Sequence, residues 1–202
     1  ALAPNNPYSA SKAAAEHMCR AYFITFGLPV VITRSSNNFG PYQYPEKFVA
    51  LSITNLIEGK KVPLYGDGKN IRDWLYVEDN CDGIYFVLSK GVAGEVYNIA
   101  GGYEMMNIDM ARDILRAMDK VLPKRGKDKS MIEYVRDRLG HDRRYSLDDS
   151  KLRDMGWKPG HTFKEALEET IKWYEDNRDW WMKIKHKDTY KKYYTKQYKG
   201  RS

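Results

Sequence analysis

Two side chains near the start of the sequence, Tyr8 and Lys12, have the types and the spacing needed for proton transfer. They stand four residues apart within NPYSASKAAAEHMCRAY, residues 6–22. Residues at this spacing on a helix are neighbours on one face, and an ammonium one turn away stabilises a phenolate. Such a phenol can take a proton from an alcohol or return one to a carbonyl. The alternative is an ordinary surface pair, because the same spacing also arises by chance on exposed helices.

The segment that carries this pair has the composition of a helix. It is rich in Ala, Glu, Met and Arg, which are good helix formers, and Pro7 suits a first helical turn. Gly27 and Pro29 follow the run and are typical of a helix end. The sequence therefore predicts a helix over residues 7–26, with the pair in its first two turns.

Further elements alternate between strands and helices along the chain. LPVVITR (28–34) is β-branched and predicts a buried strand, whereas SSNNFGPYQYPEK, which follows it, predicts a loop. The remaining predictions are a helix at about 46–58, strands at 61–65 and 71–77 around a Gly66–Gly68 turn, a helix at 78–90, a strand at 94–102, a helix from Asn107 as N-cap to 122, a loop at 123–130, a strand at 131–135, a short helix ending at Gly156, and a helix at 162–181 opened by a capping box of Thr162 and Glu165. This alternation favours an α/β fold.

Composition limits the class of protein. Of 202 residues, 42% are hydrophobic, which is typical of a globular chain. The sequence shows neither a secretion signal nor an apolar run long enough to cross a membrane. Cys19 and Cys81 form no CxxC motif and read as free thiols, which predicts a reducing, cytoplasmic location. The four scattered histidines predict no metal site.

The net charge of +7 comes from one segment. Residues 183–202 contain eight Lys or Arg and one Asp, so the rest of the chain is neutral. A nucleic-acid enzyme is expected to carry a basic stripe over its binding face, which argues against a nucleic-acid partner. This basic tail interleaves lysines with four tyrosines, a pattern that can bind single strands. We expect instead a solvated tail that is partly docked on the body.

Five stretches in a fixed order resemble a known family: PYSASKAAAEH, SNNFGPYQYPEK, PLYGDGKNIRDWLYVED, YNIAGG and GHDRRYSLD. Together they are similar to the extended short-chain dehydrogenase/reductase family, over nearly the whole chain. The resemblance implies the C-terminal part of a Rossmann-like, doubly wound parallel sheet with a smaller mixed α/β substrate-binding domain. It assigns residues 1–39 and 76–101 to the NAD-binding domain, 40–75 and 102–182 to the nucleotide-sugar-binding domain, and 183–202 to the tail.

The resemblance also implies chemistry. Within the family, the motifs are similar to those of enzymes that use bound NAD to remove water from dTDP-glucose and form a 4-keto-6-deoxy sugar. Family members begin with a Gly-rich strand–turn–helix for the dinucleotide, and this sequence has none, so we expect a C-terminal fragment that is inactive and poorly stable alone. The full-length enzyme is expected to be a homodimer. Another NAD-dependent nucleotide-sugar enzyme, such as an epimerase or decarboxylase, and a non-catalytic nucleotide-sugar-binding module remain alternatives.

The resemblance assigns roles to individual residues. Tyr8 is implied as the catalytic base, with Lys12 on the nicotinamide ribose and Asn38 on the nicotinamide side. The implied substrate-binding residues are Asn37, Lys47, Phe48, Pro63, Tyr65, Arg72, Asn107, Arg138 and His141. Leu139 stands where the family usually has proline.

Several of these assignments have simpler alternatives. Asn37 and Asn38 could be loop asparagines that form Asx turns. Phe48 and Tyr65 could pack in the core, and Arg72 could pair with Asp73 at the surface. Asn107 could serve only as a helix cap.

Overall fold

The computed structural model describes residues 4, 6–123 and 131–199, so most of the predicted loop at 123–130 lies outside the described residues. The helices are α1 (Pro7–Phe26), α2 (Phe48–Ile57), α3 (Val77–Lys90), α4 (Asn107–Val121), α5 (Ser150–Asp154), α6 (Phe163–Asp176), α7 (Arg178–Lys185) and α8 (Asp188–Tyr194), with a π-helical turn at Thr195–Lys199. The strands are β1 (Ile32–Ser35), β2 (Asn37–Phe39), β3 (Val62–Tyr65), β4 (Ile71–Tyr76), β5 (Val96–Ile99), β6 (Glu104–Met106), β7 (Ile132–Val135) and β8 (Arg144–Tyr145).

The described strands form three small sheets. β1 pairs with β5, β3 pairs with β7, and β4 pairs with β2, β6 and β8. Among the described strand pairs, only β4–β6 is antiparallel. Helices connect the parallel strands, so the predicted α/β class is confirmed. Within residues 4, 6–123 and 131–199, no helix has the length and apolar character needed to cross a membrane.

Two buried clusters hold these elements together. The larger one joins α2, α4, α6 and α7 to β2–β4, and its members include Ile53, Ile114, Ile171, Tyr174 and Trp181, all at most 1% exposed. The smaller cluster packs α3, α5 and β5 together, and consists of Leu75, Val87, Tyr97, Ile99, Leu152 and Trp157. Burial of such side chains is the main stabilising contribution in a fold of this size.

Helix α1 lies outside both clusters. None of its 20 residues is buried. It is held to the body by an ion pair between Glu16 and Arg34 of β1, and by Phe23, whose ring lies where a side chain at Gly94 would point. The predicted boundaries of this helix, 7–26, are confirmed, and Gly27 ends it with a φ of 65°.

Two strand predictions need correction. The segment after β1 is not all loop: residues 37–39 form β2, which pairs in parallel with Trp74, Leu75 and Tyr76 of β4. The strand predicted at 28–34 is shorter and shifted, because only Ile32–Ser35 pairs with β5. In both cases the pairing partner lies more than 30 residues away, beyond the reach of a local pattern.

Two helix predictions also need correction. Asn107 is not an N-cap: Met106 holds the cap position, and the backbone N–H of Asn107 donates to the carbonyl of Asn70 at 2.9 Å. The helix predicted at 162–181 is two helices, because Asn177 leaves helical geometry with φ −113° and ψ 38°. The capping box of Thr162 and Glu165 is present as predicted.

The basic tail docks on the body. Tyr190 of α8 is 4% exposed, and Lys185 at the end of α7 is 7% exposed. The Lys185 ammonium contacts the Glu58 carboxylate at 2.5 Å and the Asn55 side-chain oxygen at 3.0 Å. The tail therefore crosses the C-terminal end of α2, while most of its other lysines face solvent.

Candidate functional site

The N-terminal cap of α1 sets the position of Tyr8 and Lys12. The Asn6 side-chain oxygen accepts a hydrogen bond from the Ser9 backbone N–H at 2.9 Å and starts the helix. Tyr8 and Lys12 then lie one helical turn apart, and both side chains are exposed, Tyr8 by 73%. The geometry agrees with the predicted pair, and its catalytic role stays a prediction.

The next turn of the same face ties this pair to the sheet. The Arg34 Nε donates to both carboxylate oxygens of Glu16, at 2.9 and 3.0 Å. This hydrogen bond raises the pKa of Arg34, although burial opposes it. The fork geometry holds α1 in one orientation over the end of β1.

Tyr145 of β8 is a residue that sequence reasoning missed. Burial raises the pKa of its phenol. The charges of Tyr8 and Glu16 raise this pKa further, and the charge of Arg34 lowers it. Tyr145 pairs with Arg72 across the β4–β8 ladder, which places it beside one of the predicted substrate-binding residues. The sequence signal for Tyr145 was its position in the motif GHDRRY, which is one of the stretches that resemble the family.

Asn37 and Asn38 lie on β2, at the same side of the molecule as the end of β1. The Asn38 side-chain N–H donates to the Ser36 carbonyl at 3.1 Å. Its side-chain oxygen is buried and has no hydrogen-bond partner within the part of the chain that the structure describes. Buried acceptors are normally satisfied, so an unpaired one points to a missing ligand or water.

Arg72 is 8% exposed and bonds to backbone carbonyls. Its guanidinium donates to the Ile71 carbonyl at 2.6 Å and to the Asp142 carbonyl at 2.7 Å. Burial lowers its pKa. The alternative of an Arg72–Asp73 surface pair is wrong, because the Asp73 carboxylate accepts from the backbone N–H groups of Gly101 at 3.0 Å and Tyr103 at 2.8 Å.

Tyr65, at the end of β3, gathers two of the other predicted residues. The Arg138 guanidinium lies over its ring, 5.1 Å from the centroid, and the His141 ring meets it edge-on at 6.1 Å. The Asp137 carboxylate lies 2.6 Å from the His141 Nδ1. Burial lowers the pKa of His141, and the bond to Asp137 opposes that shift without overcoming it. Leu139 is 98% exposed, so its replacement of the usual proline leaves these contacts in place.

Asn107 joins this cluster through a backbone relay. Its N–H bonds to the Asn70 carbonyl, and the Asn70 side chain donates to the Asp142 carbonyl at 3.2 Å, the same oxygen that Arg72 contacts. The Asn107 side-chain oxygen is buried without a partner among the described residues. Arg72, Asn107, Arg138, His141 and Tyr65 therefore form one connected group.

The remaining predicted residues make ordinary local contacts. Pro63 is buried in β3, two residues before Tyr65 and hence on the same face. Phe48 packs against Trp74 with ring centroids 6.1 Å apart, which agrees with the core-packing alternative. The Lys47 side chain is exposed and lies 3.2 Å from Glu46.

A second residue that sequence reasoning missed is Tyr198. Its ring stacks on Tyr65, with centroids 5.5 Å apart and an interplanar angle of 25°. The signal in the sequence was the fourfold spacing of Tyr190, Tyr194 and Tyr198, which predicts one face of a helix.

Comparison with known proteins gives consistent matches. The family model described as GDP-mannose 4,6 dehydratase matches residues 1–170. A dTDP-glucose 4,6-dehydratase of Shigella flexneri is 47% identical over 202 residues, which is 100% of this chain and 56% of that protein. The chain thus spans about half the length of the curated relatives it matches.

Solved structures agree. The dTDP-glucose 4,6-dehydratase of Bacillus anthracis, in complex with NAD, is 51% identical with a TM-score of 0.84, covering 91% of this chain and 57% of that one. A UDP-glucuronic acid 4-epimerase of Bacillus cereus, in complex with UDP-glucuronic acid and NAD, is 26% identical with a TM-score of 0.77, covering 87% and 55%. The likeness in fold extends beyond the dehydratases, whereas the higher identity is to dehydratases.

Proposed function

We propose, from the premise that the chain belongs to the GDP-mannose 4,6 dehydratase family, that it carries the nucleotide-sugar site and the proton-transfer pair of an NAD-dependent dTDP-glucose 4,6-dehydratase. One observation supports this above the others. Arg72 is buried, and its hydrogen bonds within the described part of the chain go to the carbonyl oxygens of Ile71 and Asp142. Asp142 follows His141 in sequence, and His141 and Arg138 both contact the Tyr65 ring. A buried guanidinium that bonds to no carboxylate among the described residues suits the diphosphate of a nucleotide.

The group around Tyr65 would bind the nucleotide half of the substrate. The Tyr65 ring offers an aromatic surface to a nucleobase. Arg72 and Arg138 would bind the diphosphate oxygens, and a guanidinium can engage two such oxygens at once. The unpaired Asn107 oxygen would accept a hydrogen bond from a substrate hydroxyl or amide.

Tyr8 and Lys12 would act on the sugar. The Tyr8 phenolate would take the proton of the C4 hydroxyl as that carbon is oxidised, and the Lys12 ammonium would stabilise the phenolate from one turn away. Tyr145, which pairs with Arg72 across the β4–β8 ladder, would lie near a sugar attached to the bound diphosphate.

NAD would supply reversible oxidation at C4 when bound. The residues that fit its nicotinamide end are Lys12, which would bond to the ribose, and Asn38, whose buried oxygen lacks a partner in the described ranges. The sequence contains no Gly-rich strand–turn–helix for the pyrophosphate. The fit is therefore to one end of the dinucleotide, and the acid and base that remove water across C5–C6 are not assigned to this chain.

Identity favours dTDP-glucose over related substrates. Relatives described as dTDP-glucose 4,6-dehydratases are 46–50% identical to the chain, whereas the epimerases with similar folds are 24–27% identical. Turnover of another nucleotide sugar would reassign the substrate, and dTDP binding without turnover would favour a binding module.

Other parts of the assignment are also proposals. The division into 1–39 with 76–101, and 40–75 with 102–182, stays a prediction that the buried clusters do not follow. The smaller cluster combines residues of both parts, and Phe39 and Tyr76 of the first part lie in the larger cluster. A homodimeric, cytoplasmic full-length enzyme stays a prediction, and sedimentation of that enzyme would check the dimer.

The proposed function is tested in a fusion protein that adds the part of the relatives that this chain does not span. The 202-residue chain would be joined to the N-terminal part of the Bacillus anthracis relative that lies outside the match. Mass spectrometry would then follow loss of one water from dTDP-glucose. The fusion should convert dTDP-glucose, and Tyr8→Phe should lower turnover by about 10²–10⁴-fold while dTDP binding persists. Full turnover by Tyr8→Phe would exclude the assigned base, and a fusion that binds no dTDP would exclude the proposed function.

A further inference from the structure

Three side chains of α1 follow one another at intervals of one helical turn: Tyr8, Lys12 and Glu16. The first two are the proposed proton-transfer pair. The Glu16 carboxylate accepts hydrogen bonds from Nε and Nη2 of Arg34 on β1, and this arrangement is called the fork below. Lys12 and Arg20 stand one turn before and one turn after Glu16, and neither forms an ion pair with it in the described part of the chain. The carboxylate is therefore used for a bond between two elements.

Few other contacts hold α1 to the body. None of its 20 residues is buried. Its partly buried positions, which mark the side that faces the body, are Ser9, Ala13, Glu16 and Phe23. Ser9 and Ala13 are small and have little apolar surface to bury. Phe23 packs at Gly94, close to the C-terminal end of the helix. Among the described residues, the fork is thus the side-chain bond that fixes the N-terminal half of α1.

The length of α1 makes this bond important for the position of Tyr8. Tyr8 and Phe23 are 15 positions apart, which is about 22 Å along the axis at roughly 1.5 Å per residue. Over that length, a rotation of the helix by about 5° around Phe23 would move Tyr8 by about 2 Å. A misplacement of about 1 Å in a catalytic group can lower a rate about 100-fold. Glu16 lies between Tyr8 and Phe23, so the fork limits this rotation.

The other side of the fork is a strand that is itself fixed. Arg34 lies in register with Asn98 of β5. The next residue, Ser35, donates from its hydroxyl to the Asn80 side-chain oxygen of α3 at 2.6 Å. β1 is followed directly by β2, which carries Asn38, the residue that the proposed function places at the nicotinamide. The fork therefore connects the helix of the proton-transfer pair to the strands that carry another part of the proposed site.

We propose that Arg34 and Glu16 are positioning residues for proton transfer, which hold α1 so that Tyr8 and Lys12 keep a fixed place relative to β1 and β2. The inference rests on the proposed function, because it takes Tyr8 and Lys12 as the proton-transfer pair. The proposed nucleotide contacts around Tyr65 lie on other elements, so loss of the fork should affect turnover and spare nucleotide binding. We expect kcat to fall by about 10- to 100-fold, with KM for dTDP-glucose changed by less than about twofold.

The test measures kcat and KM in the fusion of this chain with the N-terminal part of the Bacillus anthracis relative. Arg34→Gln removes the fork and should show the full loss of kcat. Arg34→Lys keeps the charge without the fork geometry and should lie between Arg34→Gln and the parent. The charge exchange, Glu16→Arg with Arg34→Glu, rebuilds an arginine–carboxylate pair and should recover most of the lost kcat. Arg20→Gln, at an exposed position of the same helix, is the matched control and should keep the kcat of the parent.

Hydrogen exchange of the 202-residue chain gives a readout that does not depend on turnover. The two side chains of the fork are 34% and 24% exposed, so the bond is partly screened by water. Backbone amides of residues 8–16 should therefore exchange only about two- to fivefold faster in Arg34→Gln than in the parent. Amides of α4, which contacts neither side chain of the fork, should exchange at the same rate in both.

The outcomes separate the inference from the proposed function. A parent fusion that does not convert dTDP-glucose removes both. With an active parent, a kcat of Arg34→Gln within about twofold of the parent overturns the inference alone. A loss of kcat that the charge exchange does not recover overturns it too, as does a KM that rises as much as kcat falls. Unchanged exchange over residues 8–16 has the same consequence. If Arg34→Gln does not fold, Glu16→Gln replaces it with the same criteria.

Discussion

The buried ammonium of Lys185 provides the sharpest test of how the tail is held. It is 7% exposed and lies 2.5 Å from the Glu58 carboxylate, 3.0 Å from the Asn55 oxygen and 3.3 Å from the Thr54 hydroxyl. Lys185→Met keeps most of the buried volume and removes these three bonds. We expect the variant to be less stable, because Glu58 and Asn55 lose a charged partner in a poorly hydrated place.

The magnitude follows from what each partner retains. Breaking a fully buried ion pair costs about 3–5 kcal/mol, but the Glu58 side chain is 23% exposed and Lys60 lies 3.2 Å from it. Thr54 still donates to the Ala50 carbonyl at 2.8 Å. The cost should therefore be about 2 kcal/mol, in the range for hydrogen bonds to charged groups. For a chain of this length that corresponds to a fall in melting temperature of about 4–8 °C.

The assay is thermal and urea unfolding followed by circular dichroism. Lys183→Met, on an exposed position of the same helix, is the control and should stay within about 0.5 kcal/mol of the parent. A double-mutant cycle with Glu58→Gln should give a coupling of about 1–2 kcal/mol. If Lys185→Met melts with the parent, or if the cycle shows no coupling, the ion pair does not hold the tail.

The same pair has a predictable pH dependence. Burial raises the pKa of Glu58, but the hydrogen bonds and charges of Lys185 and Lys60 together outweigh it, so the pKa is lowered overall from 4.5. A carboxyl whose pKa is lowered by folding stabilises the folded state above its unfolded pKa. That contribution should be lost as the pH falls below about 4.5 and through the lowered value. Lys185→Met should reduce this loss.

Two further predictions concern other parts of the fold. Gly101→Ala would place a methyl group 1.9 Å from the Trp74 carbonyl oxygen and should lower the free energy of unfolding in urea by more than about 2 kcal/mol. Gly102→Ala is limited mainly by its φ of 77° and should cost about 1 kcal/mol. Equal losses of stability in the two variants would contradict the backbone clash. The hydrogen bond to Asp79 raises the pKa of His161 above 6.5, so this pair stabilises the fold at low pH. Its contribution to stability should fall as the pH rises beyond 6.5 and through the raised pKa. Urea unfolding on both sides of that range should show this fall in the parent and not in His161→Asn.

Interactions between residues close in sequence explain the predictions that the structure confirms. The boundaries of α1 follow from a helix-forming run between Pro7 and Gly27, and the capping box of α6 needs only Thr162 and Glu165. The i, i+4 placement of Tyr8 and Lys12 is a property of any helix through that run. The order of the motifs was sufficient to indicate the family, which the match over residues 1–170 confirms.

Other features depended on partners far along the chain. The polar residues 37–39 form a strand because β4 pairs with them, and Asp73 bonds to the backbone of Gly101 and Tyr103, which sequence proximity to Arg72 did not indicate. Asn177 ends α6, although the residues on both sides of it have the composition of one continuous helix.

By itself the sequence determined the limits of α1, the capping box of α6 and the residue types available for proton transfer, because those depend on interactions within a few positions. Only the tertiary structure decided that the basic tail docks and that Tyr198 meets Tyr65, residues 133 apart whose contact requires α2, β3 and the tail to pack together. It also paired Tyr145 with Arg72 across two strands that lie more than 60 residues apart in sequence. Contacts across such separations arise from burial and strand pairing, whose partners no local pattern identifies.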